Sequence, residues 1–91
     1  GEVYCLEVSG NSIIDEHICD RDIVVIKKQD SAEDGQIVVA LLDDGGATLK
    51  RYRRLKSGQV MLIPANPSMQ PITVEKVTIQ GRLIGVIREL H

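Results

Sequence analysis

Apolar and polar positions along this chain fall into short β-branched runs, broken at close intervals by residues that favour turns. The runs cover residues 3–8, 23–28, 36–42, 47–55, 59–63, 72–74 and 77–88. Between them stand Gly10-Asn11, Asp34-Gly35, Asp43-Asp44-Gly45-Gly46, Ser57-Gly58 and Pro64-Ala65-Asn66-Pro67. Valine and isoleucine suit a pleated, half-covered surface, while glycine, asparagine and proline supply the backbone angles of tight turns. The pattern predicts an all-β domain of short, mostly antiparallel strands and hairpins, in a sandwich or barrel-like arrangement with little or no helix. The loop from Asp43 to Gly46, set between two strand candidates, is the clearest hairpin. Residues 13–19 offer a helical turn with Ile13, Ile14, His17 and Ile18 on one side, too short for more than a connector. No repeat, linker or low-complexity segment interrupts the chain, so residues 1–91 read as one compact domain.

A chain of 91 residues that is 43% hydrophobic can build a core without metal or disulfide support. With two tyrosines and no phenylalanine or tryptophan, that core must consist of Ile, Val and Leu. The net charge of −2 gives the domain no basic footprint for DNA, and any DNA contact belongs to a segment outside this chain. Lys50-Arg51-Tyr52-Arg53-Arg54-Leu55-Lys56 is basic, but strand alternation splits its charges between two faces. That fits a solvated strand end leading into the Ser57-Gly58 turn; docking of an acidic or filamentous partner is compatible with the same residues. Cys5 and Cys19 are too few for a disulfide framework, and with His17 they lack the fourth ligand and the spacing of a zinc site. Buried or half-buried free thiols are the expectation. Asp15, Glu16, Asp20 and Asp22 match no calcium loop or two-metal spacing and read as surface and turn carboxylates. No metal or other cofactor is expected. The longest apolar run, residues 37–42, has six residues, far short of a membrane span.

Two segments carry candidate chemistry. Ser12, in Ser9-Gly10-Asn11-Ser12, sits just past the first strand candidate, where a sharp turn exposes the hydroxyl. Its own N–H, and a neighbour's, can point at a developing oxyanion. Taken alone, the tetrapeptide is also ordinary loop chemistry. Lys50, in Ala47-Thr48-Leu49-Lys50-Arg51-Tyr52, lies on a strand candidate whose alternation puts Thr48, Lys50 and Tyr52 on one face and Leu49 on the other. A serine needs a base to attack at neutral pH, and a lysine serves if it is kept uncharged. Burial among apolar side chains achieves that, although an exposed strand lysine is the commoner arrangement. His17 and His91 form no Ser-His-Asp pattern, so a Ser-Lys dyad is the better reading.

Around these residues the chain resembles the self-cleaving domain of the LexA/UmuD family, which includes repressors of the SOS response. The resemblance is carried, in order, by Val8-Ser9-Gly10-Asn11-Ser12-Ile13, Asp20-Arg21-Asp22-Ile23-Val24-Val25, Asp34-Gly35-Gln36-Ile37-Val38-Val39-Ala40, Ala47-Thr48-Leu49-Lys50-Arg51, Leu62-Ile63-Pro64-Ala65-Asn66-Pro67 and Ile79-Gln80-Gly81-Arg82-Leu83-Ile84-Gly85-Val86-Ile87-Arg88. The order weighs more than any single block. Asn11 and Ile13 depart from the pattern, standing where many members carry methionine.

The resemblance implies Ser12 as nucleophile, Lys50 as its base, the backbone N–H groups of Asn11 and Ser12 as oxyanion donors, and Thr48 as the residue that orients the lysine amine. It also implies a cytoplasmic homodimer, activated by a RecA–single-stranded-DNA filament, that reaches DNA only through an N-terminal domain outside this chain. The apolar run Leu83-Ile84-Gly85-Val86-Ile87 reads as an edge strand that pairs with its symmetry mate. Family members are cut at an Ala-Gly or Cys-Gly bond, and no such pair precedes Ser12 here. The chain therefore reads as the C-terminal catalytic and dimerisation domain, with its scissile bond expected upstream of Gly1. Two other readings share the same residues: a UmuD-like polymerase accessory subunit, and a non-catalytic repressor dimerisation module.

Overall fold

The structure, a computed structural model, describes residues 1–8, 18–41, 46–64 and 70–89. Its strands are β1 (Val3–Glu7), β2 (Ile23–Lys28), β3 (Ile37–Leu41), β4 (Ala47–Arg54), β5 (Val60–Ile63), β6 (Ile72–Val74) and β7 (Thr78–Ile87). Each lies within a run anticipated from the apolar pattern, and no helix occurs among the described residues. The helical turn expected over residues 13–19 falls largely outside the described residues. Instead of two stacked sheets or a barrel, the strands form a single antiparallel sheet in the order β1-β2-β7-β3-β4-β5-β6.

Turn chemistry sets the hairpins. β3 and β4 pair from Ile37↔Arg51 to Leu41↔Ala47, as the Asp43 to Gly46 signal requires; the tip, residues 42–45, is outside the described residues. Between β4 and β5, Gly58 N–H donates to the Leu55 carbonyl at 3.0 Å and Leu55 N–H to Gln59 at 2.8 Å. Gly58 adopts φ 91°, the left-handed angle that closes a short loop of this kind and that glycine reaches without steric cost.

β7 corrects one expectation. It is not an edge strand: β2 and β3 flank it. The flanking is staggered, however. β3 pairs with β7 over Thr78 to Arg82, whereas β2 pairs with it as far as Ile23↔Ile87. Gly85, Val86 and Ile87 thus have a ladder partner on the β2 side alone among the described residues. Two register shifts interrupt the strand. Gln80 is the extra residue against β3, where Val39 pairs with Gly81 and Ala40 with Ile79. Ile84 is the extra residue against β2, where Val25 pairs with Gly85 and Ile26 with Leu83. Each such bulge swaps the faces that later side chains occupy and adds twist.

Both faces of the sheet bury apolar residues. Val8, Ile18, Val24, Ile26, Val39 and Leu49 form one core, with Tyr4, Ile37 and Leu83 against it. Val38, Ala40, Tyr52, Val60, Leu62 and Ile79 form the other, with Ala32, Val74 and Val77. β3 serves both, which explains why Ile37-Val38-Val39-Ala40-Leu41 is apolar throughout and not alternating. Each fully buried aliphatic side chain contributes about 1.5–3 kcal/mol, so a core without tryptophan or phenylalanine is sufficient here.

Candidate active site

Lys50 sits in the middle of β4, opposite Val38 of β3, which is 0% exposed. Leu49 enters the first core and Tyr52 the second, as alternation along an eight-residue strand dictates. Lys50 itself is buried, 5% exposed. Burial penalises the ammonium and lowers its pKa below the ordinary lysine value, the direction a lysine base requires. Thr48 is half-buried two positions earlier, opposite Ala40, so the pair shares a face of β4. Arg51 points away: it is exposed, and its Nη1 donates to the carbonyl of Gly35.

Ser12 and Asn11 lie outside the described residues, but both ends of their segment are defined. Val8 and Ile18 are 2% and 1% exposed and join the core that contains Leu49. Val8 N–H donates to the Asp22 carbonyl and Arg21 N–H to the Val8 carbonyl, each at 2.8 Å. The connection from β1 to β2 is therefore closed at its base by a short backbone ladder.

Beside that base lies a pair that sequence reasoning missed. Asp22, expected to be a surface or turn carboxylate, is 2% exposed. Its Oδ1 accepts Arg88 Nε–H and its Oδ2 accepts Arg88 Nη2–H, both at 2.9 Å, while Oδ2 also accepts Cys19 N–H at 2.8 Å. The Arg88 hydrogen bonds, then the Cys19 N–H, outweigh the penalty of burial and hold the carboxyl at a pKa of about 2; the same pairing raises that of Arg88. Since Ile23 pairs with Ile87, Asp22 and Arg88 are the next positions along the two strands. No local motif signals the contact; strand order alone would have revealed it.

Cys5 and Cys19 are free and exposed, in contrast to the buried or half-buried thiols expected. Neither belongs to a cluster of three or more metal-binding side chains among the described residues. No helix in the described residues is long and apolar enough to cross a membrane. On β7, Ile84, Val86 and Ile87 are 47%, 38% and 56% exposed, and Leu83 is half-buried against the first core.

A model of the Peptidase S24-like family matches residues 1–84. Among curated proteins, the chain is 52% identical over 91 residues to the LexA repressor of Petrotoga mobilis, covering 98% of this chain and 44% of that protein. It is 44% identical over 89 residues to the LexA repressor of Bacillus subtilis, covering 98% and 43%, and 42% identical over 90 residues to that of Bacillus pumilus, covering 99% and 43%. The chain thus spans less than half the length of these relatives.

Proposed function

The chain belongs to the Peptidase S24-like family, and on that premise we propose that it is the catalytic and dimerising domain of a LexA-type repressor of the SOS response. In this reading it is a latent serine endopeptidase that cuts its own polypeptide, using Ser12 as nucleophile and Lys50 as base. The observation that carries the proposal is the burial of Lys50 in a strand flanked by two apolar cores, with its pKa lowered by that burial.

The neutral amine of Lys50 accepts the Ser12 proton as Oγ attacks the scissile carbonyl. The backbone N–H groups of Asn11 and Ser12 stabilise the oxyanion of the tetrahedral intermediate. Collapse breaks the peptide bond, with the proton passing from Lys50 to the leaving amine. Water then hydrolyses the acyl-enzyme, again deprotonated by Lys50. Thr48, on the same face, orients the amine between the two steps.

In the whole protein a RecA–single-stranded-DNA filament favours the cleavable conformation, and cutting separates this domain from a DNA-binding domain. Dimerisation runs through Leu83, Ile84, Gly85, Val86 and Ile87. Support comes from the exposed apolar side chains there and from the ladder that β3 leaves unfinished beyond Arg82.

The test is incubation with a polypeptide presenting an Ala-Gly bond in the family's cleavage loop, across a pH series, with products identified by mass. Cleavage is expected to rise with pH until Lys50 is neutral and to vanish in Ser12→Ala and Lys50→Arg, since a guanidinium stays protonated. Cleavage that persists in Lys50→Arg, or that is flat with pH, rules out lysine as the base.

A further inference from the structure

We infer that Asp22 and Arg88 are positioning residues for the nucleophile: a clasp that fixes the base of the Ser12 segment and ties it to the end of β7. The inference rests on the reading of Ser12 and Lys50 given above and adds to it two residues that touch neither substrate nor reacting atoms.

The segment bearing Ser12 runs from Val8 to Ile18, and both of these ends are buried in one core. Such a long connection holds a reactive group in place only if its ends are fixed. Asp22 meets that need from two sides. Its carbonyl accepts Val8 N–H at the departure point, and its carboxylate accepts Cys19 N–H one residue past the return point. Arg88 then spans the carboxylate with two bonds of 2.9 Å, and its Nη2 lies 3.3 Å from Cys19 Sγ. One guanidinium just past the end of β7 and 66 positions from Asp22 therefore touches both Asp22 and Cys19.

The intervening Arg21 adopts φ 73°, an uncommon angle for a residue with a side chain. Such a conformation persists when its surroundings over-determine it. Here those surroundings are the Arg21 N–H bond to Val8 on one side and the Asp22 bonds on the other. A pair with its carboxylate buried and its guanidinium half exposed is a poor device for stability alone, because desolvation of the carboxylate and solvent screening offset much of the attraction. It is a good device for direction: the bidentate fork fixes the angle as well as the distance. Serine-to-lysine proton transfer depends on such alignment, and a misplacement of about 1 Å can cost on the order of 100-fold.

The experiment compares wild type with Asp22→Asn, Arg88→Gln and Arg88→Lys in cleavage of the separate Ala-Gly substrate, with kcat and KM resolved at each pH. For Asp22→Asn and Arg88→Gln, kcat should fall on the order of tenfold or more, while KM stays within about twofold. The midpoint of the pH–rate profile should not move, because the clasp acts on placement and not on the Lys50 proton. Arg88→Lys should recover part of the loss, as an ammonium makes one of the two bonds. Circular dichroism establishes the folded fraction. If Asp22→Asn does not fold, Arg88→Gln carries the test, since the Arg88 side chain is half exposed. A kcat within about twofold of wild type in folded Arg88→Gln overturns the inference, as does a loss that disappears once rates are corrected for folded fraction. If Ser12→Ala or Lys50→Arg still cleaves, the dyad reading itself fails, and the clasp with it.

Discussion

Gly81→Ala adds one methyl group at a crowded point of the sheet. Gly81 faces Lys28 on β2 and Val39 on β3, next to the Gln80 bulge. A Cβ there would stand 2.4 Å from Ile26 Cγ2, 2.9 Å from the Lys27 carbonyl oxygen and 3.3 Å from the Tyr4 hydroxyl oxygen. Carbon–carbon contacts settle at about 3.5–4.0 Å, so the overlap with Ile26 exceeds about 1 Å. Ile26 is β-branched, 0% exposed and packed in the first core, and its methyl has nowhere to swing. The Lys27 oxygen is backbone. Relief requires β2 and β7 to separate, which strains the ladder on either side of the Ile84 bulge. Overpacking costs about 1–3 kcal/mol, and with two unyielding neighbours the upper end is expected. Alanine's lower entropy in the unfolded chain returns at most about 1 kcal/mol, leaving a net loss of about 2 kcal/mol. In a domain of this size that lowers Tm by about 8–16 °C. Gly85→Ala is the control on the same strand, because its Cβ would meet only Val25 atoms at 3.8 and 3.9 Å, ordinary contacts. It should stay within about 0.5 kcal/mol of wild type. Urea unfolding of both variants at one fixed protein concentration, followed by circular dichroism, measures the difference. If the two variants agree within about 0.5 kcal/mol, the close seating of β7 on β2 is wrong.

Three further outcomes follow from the buried charges and the open end of β7. Burial lowers the Lys50 pKa below 10.5, so between the folded value and 10.5 the unfolded chain holds the extra proton and wild-type stability rises with pH. Lys50→Met should therefore be more stable than wild type at about pH 7 and lose that advantage toward about pH 10, read from urea midpoints; parallel curves would refute it. Asp22, held at about 2 against an ordinary 3.8, contributes stability that is present above 3.8 and lost as pH falls through about 2. The stability gap between wild type and Asp22→Asn should close across that window in acid titration, and a constant gap would count against the pairing. The protein should sediment as a dimer at about tens of micromolar and Ile84→Asp as a monomer, whereas a wild-type monomer would refute the contact.

Strand existence was legible because β-branched runs and turn residues agree at each boundary. Gly58 and Leu41↔Ala47 lie where Ser57-Gly58 and Asp43 to Gly46 place them. The face of Lys50 was legible too, since alternation along β4 is unbroken. What escaped were the consequences of strand order. Nothing local states that β7 inserts between β2 and β3, so a terminal apolar run reads as an edge. The same ignorance hides Asp22 and Arg88, which are partners only because Ile23 meets Ile87. The thiols were misjudged for a simpler reason: Cys5 lies on β1, at one end of the strand order, and is exposed there, and average burial of cysteine does not register that.

The two bulges of β7 impose an arithmetic of parity on its length. Gln80 switches Gly81, Arg82 and Leu83 to the opposite phase from Ile79, which sends Leu83 toward the first core, and Ile84 switches the strand back before Gly85. Deleting either residue alone would turn its bulge into a regular ladder, with Ile79 and Gly81, or Leu83 and Gly85, left as consecutive residues on the faces they already hold. Deleting both would likewise keep Gly81, Arg82 and Leu83 opposite their present partners. Sequence drift in this strand is therefore open to a single loss at Gln80 or Ile84, whereas a single loss at a paired position such as Arg82 inverts the residues on one side unless a bulge is given up with it.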